Sequence, residues 1–482
     1  MSSHRSVLDA IARRAMVEHG LEPDFSNAAL AEARQLPQTP HGDVRDLRTL
    51  LWSSIDNTES RDLDQLEVCG ENKDGGDRLM VAIADVDVLV PRHSAVDEHA
   101  QQNTTSVYTA ARIFPMLPES LSTDRTSLNP ESDRAAIVVE MAIDRDGVVR
   151  SCDIYQALVR NHAKLAYEAV AGWLDGTAGA PAALEQSAEL AAQVRRQDDI
   201  ARRLRQRRVE KGALDFDRAE SRPIIEGDDV KGLREVQSNR ARDLIEDFMI
   251  AANTATAEFL AARRSPSIRR VVRTPARWPR IVALAADLGE RLPETPDAHA
   301  LESFMTKRKA ADPDAWPELS LSLVKLLGRG EYVLADSTNQ GSDHFALALT
   351  HYTHSTAPNR RYPDLITQRL LKAVLTKSPP VYSSEDLAAL AQHCTRQEDA
   401  ANKVERQVQK AAAALWLSDR IGETFNGVVT GASAKGTWAR IFKPPVEGKI
   451  ERGYQGLDVG DKVRVRLIGT NPERGFIDFE KV

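Results

Sequence analysis

Apolar residues recur at every third or fourth position over much of the chain, a pattern that predicts amphipathic helices. Two short helices are predicted first, over residues 6–20 and 27–36, with Asn27 as the N-cap of the second. They form either a helix-turn-helix module that binds nucleic acid or a small helical cap on the next domain. Further helices are predicted over residues 184–208, 240–262, 279–292, 319–327, 365–375 and 384–421.

Runs of β-branched residues predict strands between these helices. Residues 79–90 have the composition of one buried strand, and Asp85 inside it would need a charged or polar partner. Residues 137–143 and 148–154 are predicted to form a hairpin around the turn 144–147.

The pattern changes near the end of the chain. From Gly427 onwards, five short alternating runs separated by glycine or polar turns predict a small OB barrel. The fold class is therefore α+β with several domains, which a length of 482 residues also favours. The predicted domains are a helix-turn-helix-like helical module, a large α/β domain and a five-stranded OB barrel, over residues 1–44, 45–421 and 422–482.

Composition and charge narrow the class of protein. Hydrophobic residues make up 42% and charged residues 28% of the chain, as is ordinary for soluble globular proteins. No apolar run approaches the roughly 20 residues that cross a bilayer, so no membrane partner is expected. The 3 cysteines are scattered, which disfavours disulfides and a zinc site and indicates the reducing cytoplasm. A net charge of −7 requires any nucleic-acid-binding surface to be local.

Candidate chemistry concentrates at residues 53–66, which contain Asp56, Asp62 and Asp64. In an extended segment Asp62 and Asp64 point to the same side, and Asp56 can return to the same place across the polar turn 57–60. Three such carboxylates repel each other unless a cation neutralises them. Oxygen ligands suit Mg²⁺ or Mn²⁺ rather than zinc. The segment is therefore either a site for these ions or a solvated acidic loop.

This segment opens a series of motifs that resembles the RNB catalytic domain of the RNase II and RNase R exoribonucleases. The resemblance covers most of residues 45–420, with the motifs in the family's order, and the barrel is similar to the family's S1-type RNA-binding domain. Relatives commonly carry two cold-shock-type barrels ahead of the catalytic domain, whereas only residues 1–44 precede it here, so a short form is expected. The motifs after the aspartates are Val-Ala-Ile-Ala-Asp-Val at 81–86, Thr-Ser-Val-Tyr at 105–108, Phe-Pro-Met-Leu-Pro-Glu-Ser-Leu-Ser at 114–122, Ser-Leu-Asn-Pro at 127–130, Gly-Ala-Leu-Asp-Phe at 212–216, Leu-Ile-Glu-Asp-Phe-Met-Ile-Ala-Ala-Asn at 244–253, His-Phe-Ala-Leu-Ala-Leu at 344–349 and His-Tyr-Thr-His-Ser-Thr-Ala-Pro-Asn-Arg-Arg-Tyr-Pro-Asp-Leu at 351–365.

The resemblance implies processive hydrolysis of single-stranded RNA from its 3′ end to nucleoside 5′-monophosphates. It assigns Asp56, Asp62 and Asp64 to a Mg²⁺ site of the two-metal type, with Mn²⁺ as an alternative ion, and Arg360 to catalysis. Gln65 stands where the family usually has a fourth aspartate, and its amide oxygen would be a weak, uncharged ligand. The alternative is therefore a catalytically weakened homologue that binds RNA or regulates.

The resemblance also implies how RNA is held. Tyr108 is expected to stack on the terminal nucleotide and Phe216 to close the other side of the stack, unless Phe216 is a core residue. No obligate protein partner is indicated, so a monomer that binds single-stranded RNA is expected. The remaining predicted RNA contacts are Glu405, Arg361, Trp438 and Arg440, although the barrel aromatics could instead fill its core.

Overall fold

The computed structural model describes residues 3–35, 44–72, 75–216, 220–236, 238–313, 315–336 and 343–482. In this part of the chain, the helices are α1 (His4–Glu18), α2 (Asn27–Gln35), α3 (Ala95–Asn103), α4 (Tyr167–Leu174), α5 (Ala182–Gln186), α6 (Ala188–Glu210), α7 (Arg240–Ala262), α8 (Trp278–Asp287), α9 (Ala298–Ala311), α10 (Trp316–Leu327), α11 (Tyr362–Leu375) and α12 (Ser384–Leu417).

The strands alternate with the helices in the first three quarters of the chain and follow them at the end. They are β1 (Arg45–Asp46), β2 (Trp52–Asp56), β3 (Gln65–Glu71), β4 (Asp77–Ala84), β5 (Val107–Tyr108), β6 (Ile113–Phe114), β7 (Asp133–Ile143), β8 (Val149–Ala166), β9 (Glu220–Glu226), β10 (Asp229–Val236), β11 (Ser267–Val272), β12 (Gly330–Ala335), β13 (Thr424–Ser433), β14 (Gly436–Ile441), β15 (Val446–Arg452), β16 (Lys462–Asn471) and β17 (Phe476–Lys481).

Capping side chains account for where several helices begin. α7 has the bounds that the sequence predicts, because Asn239 caps its first turn by accepting a hydrogen bond from the Arg242 backbone. The helix predicted over residues 184–208 is divided instead, because Ser187 leaves the helical conformation and caps α6. The prediction that Asn27 caps α2 is wrong, since the Ser26 hydroxyl accepts the hydrogen bond from Ala29 N at 3.1 Å. Residue 36, the predicted end of that helix, lies outside the described residues.

A six-stranded sheet in the order β1-β8-β2-β3-β4-β7 forms the middle of the large domain. The long strand β8 pairs with β7 through its first part and with β2 through its last part. The sheet therefore curls back on itself, and β2 and β3 lie next to each other inside it. Helices α6 and α7 pack against this sheet and against each other.

The strand predicted over residues 79–90 is too long, because β4 ends at Ala84. The chain turns there, with Leu89 N donating to Val86 O at 3.0 Å. The turn brings the carboxylates of Asp85 and Asp87 to the same Lys372 ammonium group, each at 3.0 Å. Asp85 thus has the charged partner that its burial requires.

The two N-terminal helices pack on different parts of the larger domain. α1 lies along α12, where its buried face of Leu8, Ile11 and Met16 joins a hydrophobic cluster with Val404 and Val408. α2 instead packs against α3. Both helices therefore cover the surface of the larger domain, as the helical-cap alternative expects.

The C-terminal strands form a closed five-stranded barrel in the order β13-β14-β15-β17-β16, which confirms the predicted OB barrel. The barrel packs on the end of α12, since Ala413, Ala414 and Leu417 share a hydrophobic core with the barrel interior. The approach is close at Gly475, where a Cβ atom would lie 2.9 Å from Lys410 Cβ. Among the described residues, none of the helices has the length and apolar character to span a membrane.

Candidate functional site

Two of the predicted aspartates lie together at one end of the central sheet. β2 ends at Asp56, the antiparallel strand β3 begins just after Asp64, and the loop 57–64 connects them. Asp56 is 6% exposed and Asp64 is 0% exposed. The Asp56 Oδ1 atom accepts hydrogen bonds from Asn57 N at 2.7 Å and Ser60 Oγ at 2.9 Å. These two carboxylates are therefore buried and oriented, and the alternative of a solvated acidic loop is wrong for them.

Asp64 is held by the segment that precedes α11. Asn359 N donates to Asp64 Oδ1 at 2.9 Å, and Arg360 Nε lies 2.9 Å from Asp64 Oδ2. Burial raises the pKa of Asp64 to about 7, and the Arg360 charge acts in the opposite direction. The contact with Arg360 is an ion pair without hydrogen-bond geometry, so Oδ2 has no hydrogen-bond donor among the described residues.

Asp62 forms a hydrogen bond with Tyr108, the residue predicted to stack on RNA. Tyr108 Oη donates to Asp62 Oδ2 at 3.1 Å, and Tyr108 N donates to Glu405 Oε1 on α12 at 2.8 Å. The Tyr108 side chain remains 41% exposed. Burial, followed by the charges of Asp62 and Asp64, raises the pKa of Tyr108, so the phenol stays protonated and can donate. The structure thus brings Asp62, Asp64, Tyr108, Glu405 and Arg360 into one neighbourhood.

Arg361 pairs with a different aspartate from Arg360. Its guanidinium donates to both carboxylate oxygens of the buried Asp364, at 2.8 and 2.7 Å. Asp364 Oδ1 also accepts a hydrogen bond from Ala357 N at 2.9 Å, which fixes the loop before α11. Because the Arg361 charge is paired inside the protein, its contact with RNA stays a prediction.

The residues present fit a hard divalent cation. The donors available from Asp56, Asp62, Asp64 and Gln65 are all oxygens, Gln65 is 4% exposed, and Asp64 Oδ2 lacks a hydrogen bond. No three acidic, histidine or cysteine side chains of the described residues already converge as a finished ligand set. We attribute this to the repulsion between the carboxylates and to the attraction of Asp64 to Arg360.

Several residues at the site were not predicted from the sequence. Arg242 on α7 donates to Asn57 Oδ1 at 2.8 Å, and its guanidinium lies 4.5 Å from the centre of the Tyr167 ring. Asn359 contributes through its backbone, which leaves no signature in a sequence. Glu67, a charged residue between Leu66 and Val68 in β3, is the one whose position carried a visible signal.

Phe216 lies in a different environment from Tyr108. It packs against a hydrophobic cluster of α8, α9 and α10 that includes Trp278, Phe304 and Trp316. This placement agrees with the alternative that Phe216 is a core residue. Its position opposite Tyr108 stays a prediction.

Trp438 and Arg440 lie on the outer face of the barrel, alternating with buried residues along β14. The Trp438 ring packs over Gly431 and Gly436. A Cβ atom added at either glycine would lie 3.4 Å from the ring. The alternative that Trp438 fills the barrel core is therefore wrong. Arg440 lines a cavity of about 250 Å³ between the barrel and α10, and its charge opposes the burial that raises the pKa of Glu318. RNA binding by either residue stays a prediction.

Comparison with known proteins identifies two families along the chain. Residues 44–377 match the RNB domain family, and residues 423–482 match the C-terminal S1 domain of RNase II-type exonucleases. The chain is 29% identical to ribonuclease R of Escherichia coli over 483 aligned positions, which cover 93% of this chain and 58% of that protein. The chain thus spans less than two thirds of the length of this relative.

Solved structures share the fold. Mycoplasma genitalium RNase R, solved in complex with ribose-methylated single-stranded RNA, superposes with a TM-score of 0.88 at 22% identity, covering 98% of this chain and 77% of that one. Yeast Ssd1, described as a pseudonuclease, superposes with a TM-score of 0.73 at 19% identity, covering 95% of this chain and 56% of that one. The family match extends over more than half of the chain, so this protein belongs to the RNB domain family and carries an S1 domain at its C-terminal end.

Proposed function

We propose that the protein is a metal-dependent exoribonuclease that degrades single-stranded RNA processively from the 3′ end and releases nucleoside 5′-monophosphates. The observation that carries the proposal is the pair of Asp64 and Arg360, 2.9 Å apart and next to Asp62 and Tyr108. The name of the E. coli relative, ribonuclease R, supports the same substrate class.

The acidic residues would hold the divalent ions. Asp56, Asp62 and Asp64 are the proposed ligands, with Gln65 as a neutral one, for Mg²⁺ or for Mn²⁺ in its place. Such ions, when bound, activate a water and stabilise the oxyanion that leaves in an in-line displacement at phosphorus. The carboxylates must be ionised to bind them. Burial raises the pKa of Asp64 to about 7, and the charge of Arg360 beside it favours the ionised form.

Arg360 would stabilise the phosphate as negative charge develops on it. Its Nε atom lies against Asp64, which fixes the plane of the guanidinium in the site. The forked N–H groups of arginine suit two phosphate oxygens at once. Because the group is held before RNA arrives, little reorganisation is needed in the transition state.

Tyr108 and Glu405 would position the 3′-terminal nucleotide. The exposed ring of Tyr108 offers a surface for a base, and stacking on it tolerates every base. Glu405 accepts from Tyr108 N, so it sets the backbone that carries the ring. Little base preference is therefore expected.

A degradation assay tests the proposal. Poly(A) RNA labelled at its 5′ end is incubated with Mg²⁺ and one of three proteins: the intact chain, Asp64→Asn or Asp199→Asn. The last is a control, because Asp199 lies on the exposed face of α6. We expect a ladder of shortening products from the intact chain and from the control, and none from Asp64→Asn. Binding without shortening by the intact chain would refute the proposal.

The second candidate is a homologue that binds RNA but has weakened catalysis. Gln65 favours it, because it removes one negative charge from the proposed metal site. The fold does not decide between the two, since a neighbour at 19% identity is described as a pseudonuclease. In the same assay, this candidate predicts RNA retention with slow shortening that Gln65→Asp accelerates.

The proposed organisation keeps the predicted boundaries. Residues 1–44 would form the helical module, 45–421 the catalytic domain and 422–482 the RNA-binding barrel. The packing of α1, β5 and the barrel on α12 favours placing this helix in the catalytic domain. A cytoplasmic monomer without an obligate protein partner is part of the same proposal, and sedimentation of the purified chain would test its oligomeric state.

A further inference from the structure

Glu67 is a buried carboxyl group for which the described part of the chain provides no hydrogen-bond partner. It lies in the middle of β3 and is 0% exposed. Among the described residues, neither of its carboxylate oxygens has a hydrogen-bond partner. A buried carboxyl group is costly unless it is hydrogen-bonded or paired with a cation, so its presence calls for a ligand or a function.

The position of Glu67 relates it to the proposed metal site. Residues two apart on a strand project to the same face, so Glu67 and Gln65 share one face of β3, about 6.6 Å apart along the strand. The residue opposite Glu67 on β2 is Ser53, three positions before Asp56. The Ser53 hydroxyl is also buried and without a hydrogen-bond partner among the described residues.

Electrostatic effects place Glu67 near the first aspartate. After burial, the charge of Asp56 is the next cause that raises the pKa of Glu67. Burial raises the pKa of Tyr167, and the charges of Asp56, Arg360, Glu67 and Arg242 also act on it, so its hydroxyl lies within electrostatic range of these four groups. The carboxyl of Glu67 therefore lies within electrostatic range of Asp56, on the face of β3 that also carries Gln65.

The charges around this point are not balanced. Asp56, Asp62, Asp64 and Glu67 contribute four carboxyl groups. Among the described residues, Arg360 contacts one of them, and the Lys164 ammonium group donates to two backbone carbonyls of the loop 57–64. Arg242 is occupied by Asn57, by Glu168 at 3.5 Å and by the face of Tyr167. A divalent cation would balance the negative charge that these side chains leave uncompensated.

We propose that Glu67 is a further ligand of the divalent ions at this site and supplies the carboxylate that Gln65 lacks. The inference rests on the proposed function, because it concerns the same ions. Two ions in a nuclease site lie about 4 Å apart, so ligands must extend over several ångströms. The side chain of a glutamate two positions beyond Gln65, on the same face, can bridge that distance. Ser53 would then lie beside the bound carboxylate and donate a hydrogen bond to it.

Metal binding by the full chain without RNA tests the inference independently of catalysis. Mn²⁺ binding is followed by electron paramagnetic resonance and by titration calorimetry for the intact chain and for Glu67→Gln. The control is Glu71→Gln, which changes an exposed glutamate at the other end of the same strand. We expect Glu67→Gln to lose one bound ion or to bind at least about tenfold more weakly, as is typical when a metal site loses a supporting carboxylate. The control should bind as the intact chain does.

A compensating variant makes the test specific. If Glu67 supplies the carboxylate missing at position 65, Gln65→Asp combined with Glu67→Gln should recover much of the lost Mn²⁺ affinity. Equal binding by Glu67→Gln, Glu71→Gln and the intact chain would overturn the inference, while weaker binding by Asp64→Asn in the same series would leave the proposed function standing. Failure of the intact chain to bind Mn²⁺ would overturn both.

A measurement on the intact chain covers the case in which Glu67→Gln fails to fold. Anomalous diffraction from crystals soaked in Mn²⁺ locates the ions directly. We expect an ion within about 2.0–2.2 Å of a Glu67 oxygen. Ions bound by Asp56 and Asp64, with Glu67 beyond contact distance, would overturn the inference.

Discussion

At the scale of single residues, the site is built from buried charges that are held in place by one or two partners each. Asp64 has a backbone amide and Arg360, and Asp56 has an amide and a hydroxyl. In surroundings of low dielectric constant, these charges act strongly on each other and on a phosphate that comes near. Substitutions here should change the chemistry more than they change the fold.

Arg360→Met tests this expectation. Removing the guanidinium leaves the developing phosphate charge without its preorganised donor, so we expect the single-turnover cleavage rate to fall by about 10²–10³-fold. RNA binding, measured by fluorescence anisotropy with Mg²⁺ omitted, should weaken far less. Arg360→Lys should retain part of the rate, because lysine keeps the charge but not the fork. Full activity of Arg360→Met would contradict the role given to this residue.

Lys372→Met tests the buried ion pair that ends β4. The ammonium group contacts both Asp85 and Asp87, and Asp85 is buried. Without it, Asp85 becomes an uncompensated buried charge, and the free energy of unfolding should drop by about 3–5 kcal/mol.

Urea denaturation followed by circular dichroism measures this loss. The matched control is the double variant Lys372→Met with Asp85→Asn, which removes both charges and should lose less stability than the single variant. If the single and double variants are equally stable, the ion pair does not hold the turn.

The sequence allowed part of this site to be predicted. The spacing of Asp56, Asp62 and Asp64 was enough to propose that they meet, since an antiparallel strand pair with a short loop brings its ends together. It was not enough for Asn359, which acts through its backbone amide. It also could not show that Arg361 is paired with Asp364, because the two adjacent arginines have the same local signal and only packing distinguishes them.

At the scale of elements, the loop before α11 is shaped by a group of rings and charges behind it. Tyr332 Oη and His354 Nδ1 form a hydrogen bond of 2.7 Å, and the rings of Tyr352 and His354 lie 5.8 Å apart. Burial, and then the charges of Arg361 and Arg270, lower the pKa of His354. His354 is therefore neutral in the folded protein.

This histidine should make the fold sensitive to acid. Its folded pKa lies below the ordinary value of about 6.5, so the unfolded chain binds the additional proton as the pH falls. Its contribution to stability is complete above about pH 6.5 and decreases below it, by up to about 1.4 kcal/mol per pH unit.

Thermal or urea unfolding at pH 7.5, 6.5 and 5.5 measures this dependence. His354→Asn should lose part of the stability difference between pH 6.5 and 5.5. His299→Asn, on the exposed face of α9, should keep it. An unchanged acid dependence in His354→Asn would assign the effect to other groups.

The helices and strands also show which local sequence signals are sufficient to predict an element. α7 was predicted from end to end because its apolar period is regular, and in the structure Asn239 caps it. Only the first part of β8 was predicted, since its second part contains Asn161, His162 and Lys164 and becomes a strand by pairing with the distant β2. α4 follows β8 directly, without a loop that would mark where the strand ends.

At the scale of the whole molecule, the net charge of −7 means that the RNA proposed as substrate would have to be held by local surfaces and not by the total charge. The outer face of β14, where Trp438 neighbours Lys449 across the strand pair, is the surface that we propose on the barrel. The sequence predicted the position of Trp438 only through the alternation of polar and apolar residues along the strand. The glycines beneath its ring, Gly431 and Gly436, explain why the indole lies on the outer face of the barrel.

Trp438→Ala tests the function of this surface. Losing one stacking platform should weaken binding of long poly(A) by about 1–3 kcal/mol, while the rate of cleavage of a short oligonucleotide that reaches only the active site should stay the same. Filter binding at several salt concentrations and single-turnover assays measure the two effects. Equal binding of long RNA by the variant and the intact chain would show that this face of the barrel does not hold RNA.

One helix connects all of these parts. α12 is 34 residues long, or about 51 Å, and it contacts α1, Tyr108 through Glu405, and the barrel at Gly475 near Lys410. Each residue added to a helix turns everything beyond it by about 100°. An insertion between Glu405 and Lys410 would therefore rotate the barrel relative to Tyr108 and the aspartates. The number of residues between these two positions sets how the barrel lies relative to the proposed active site, whatever the identity of the residues.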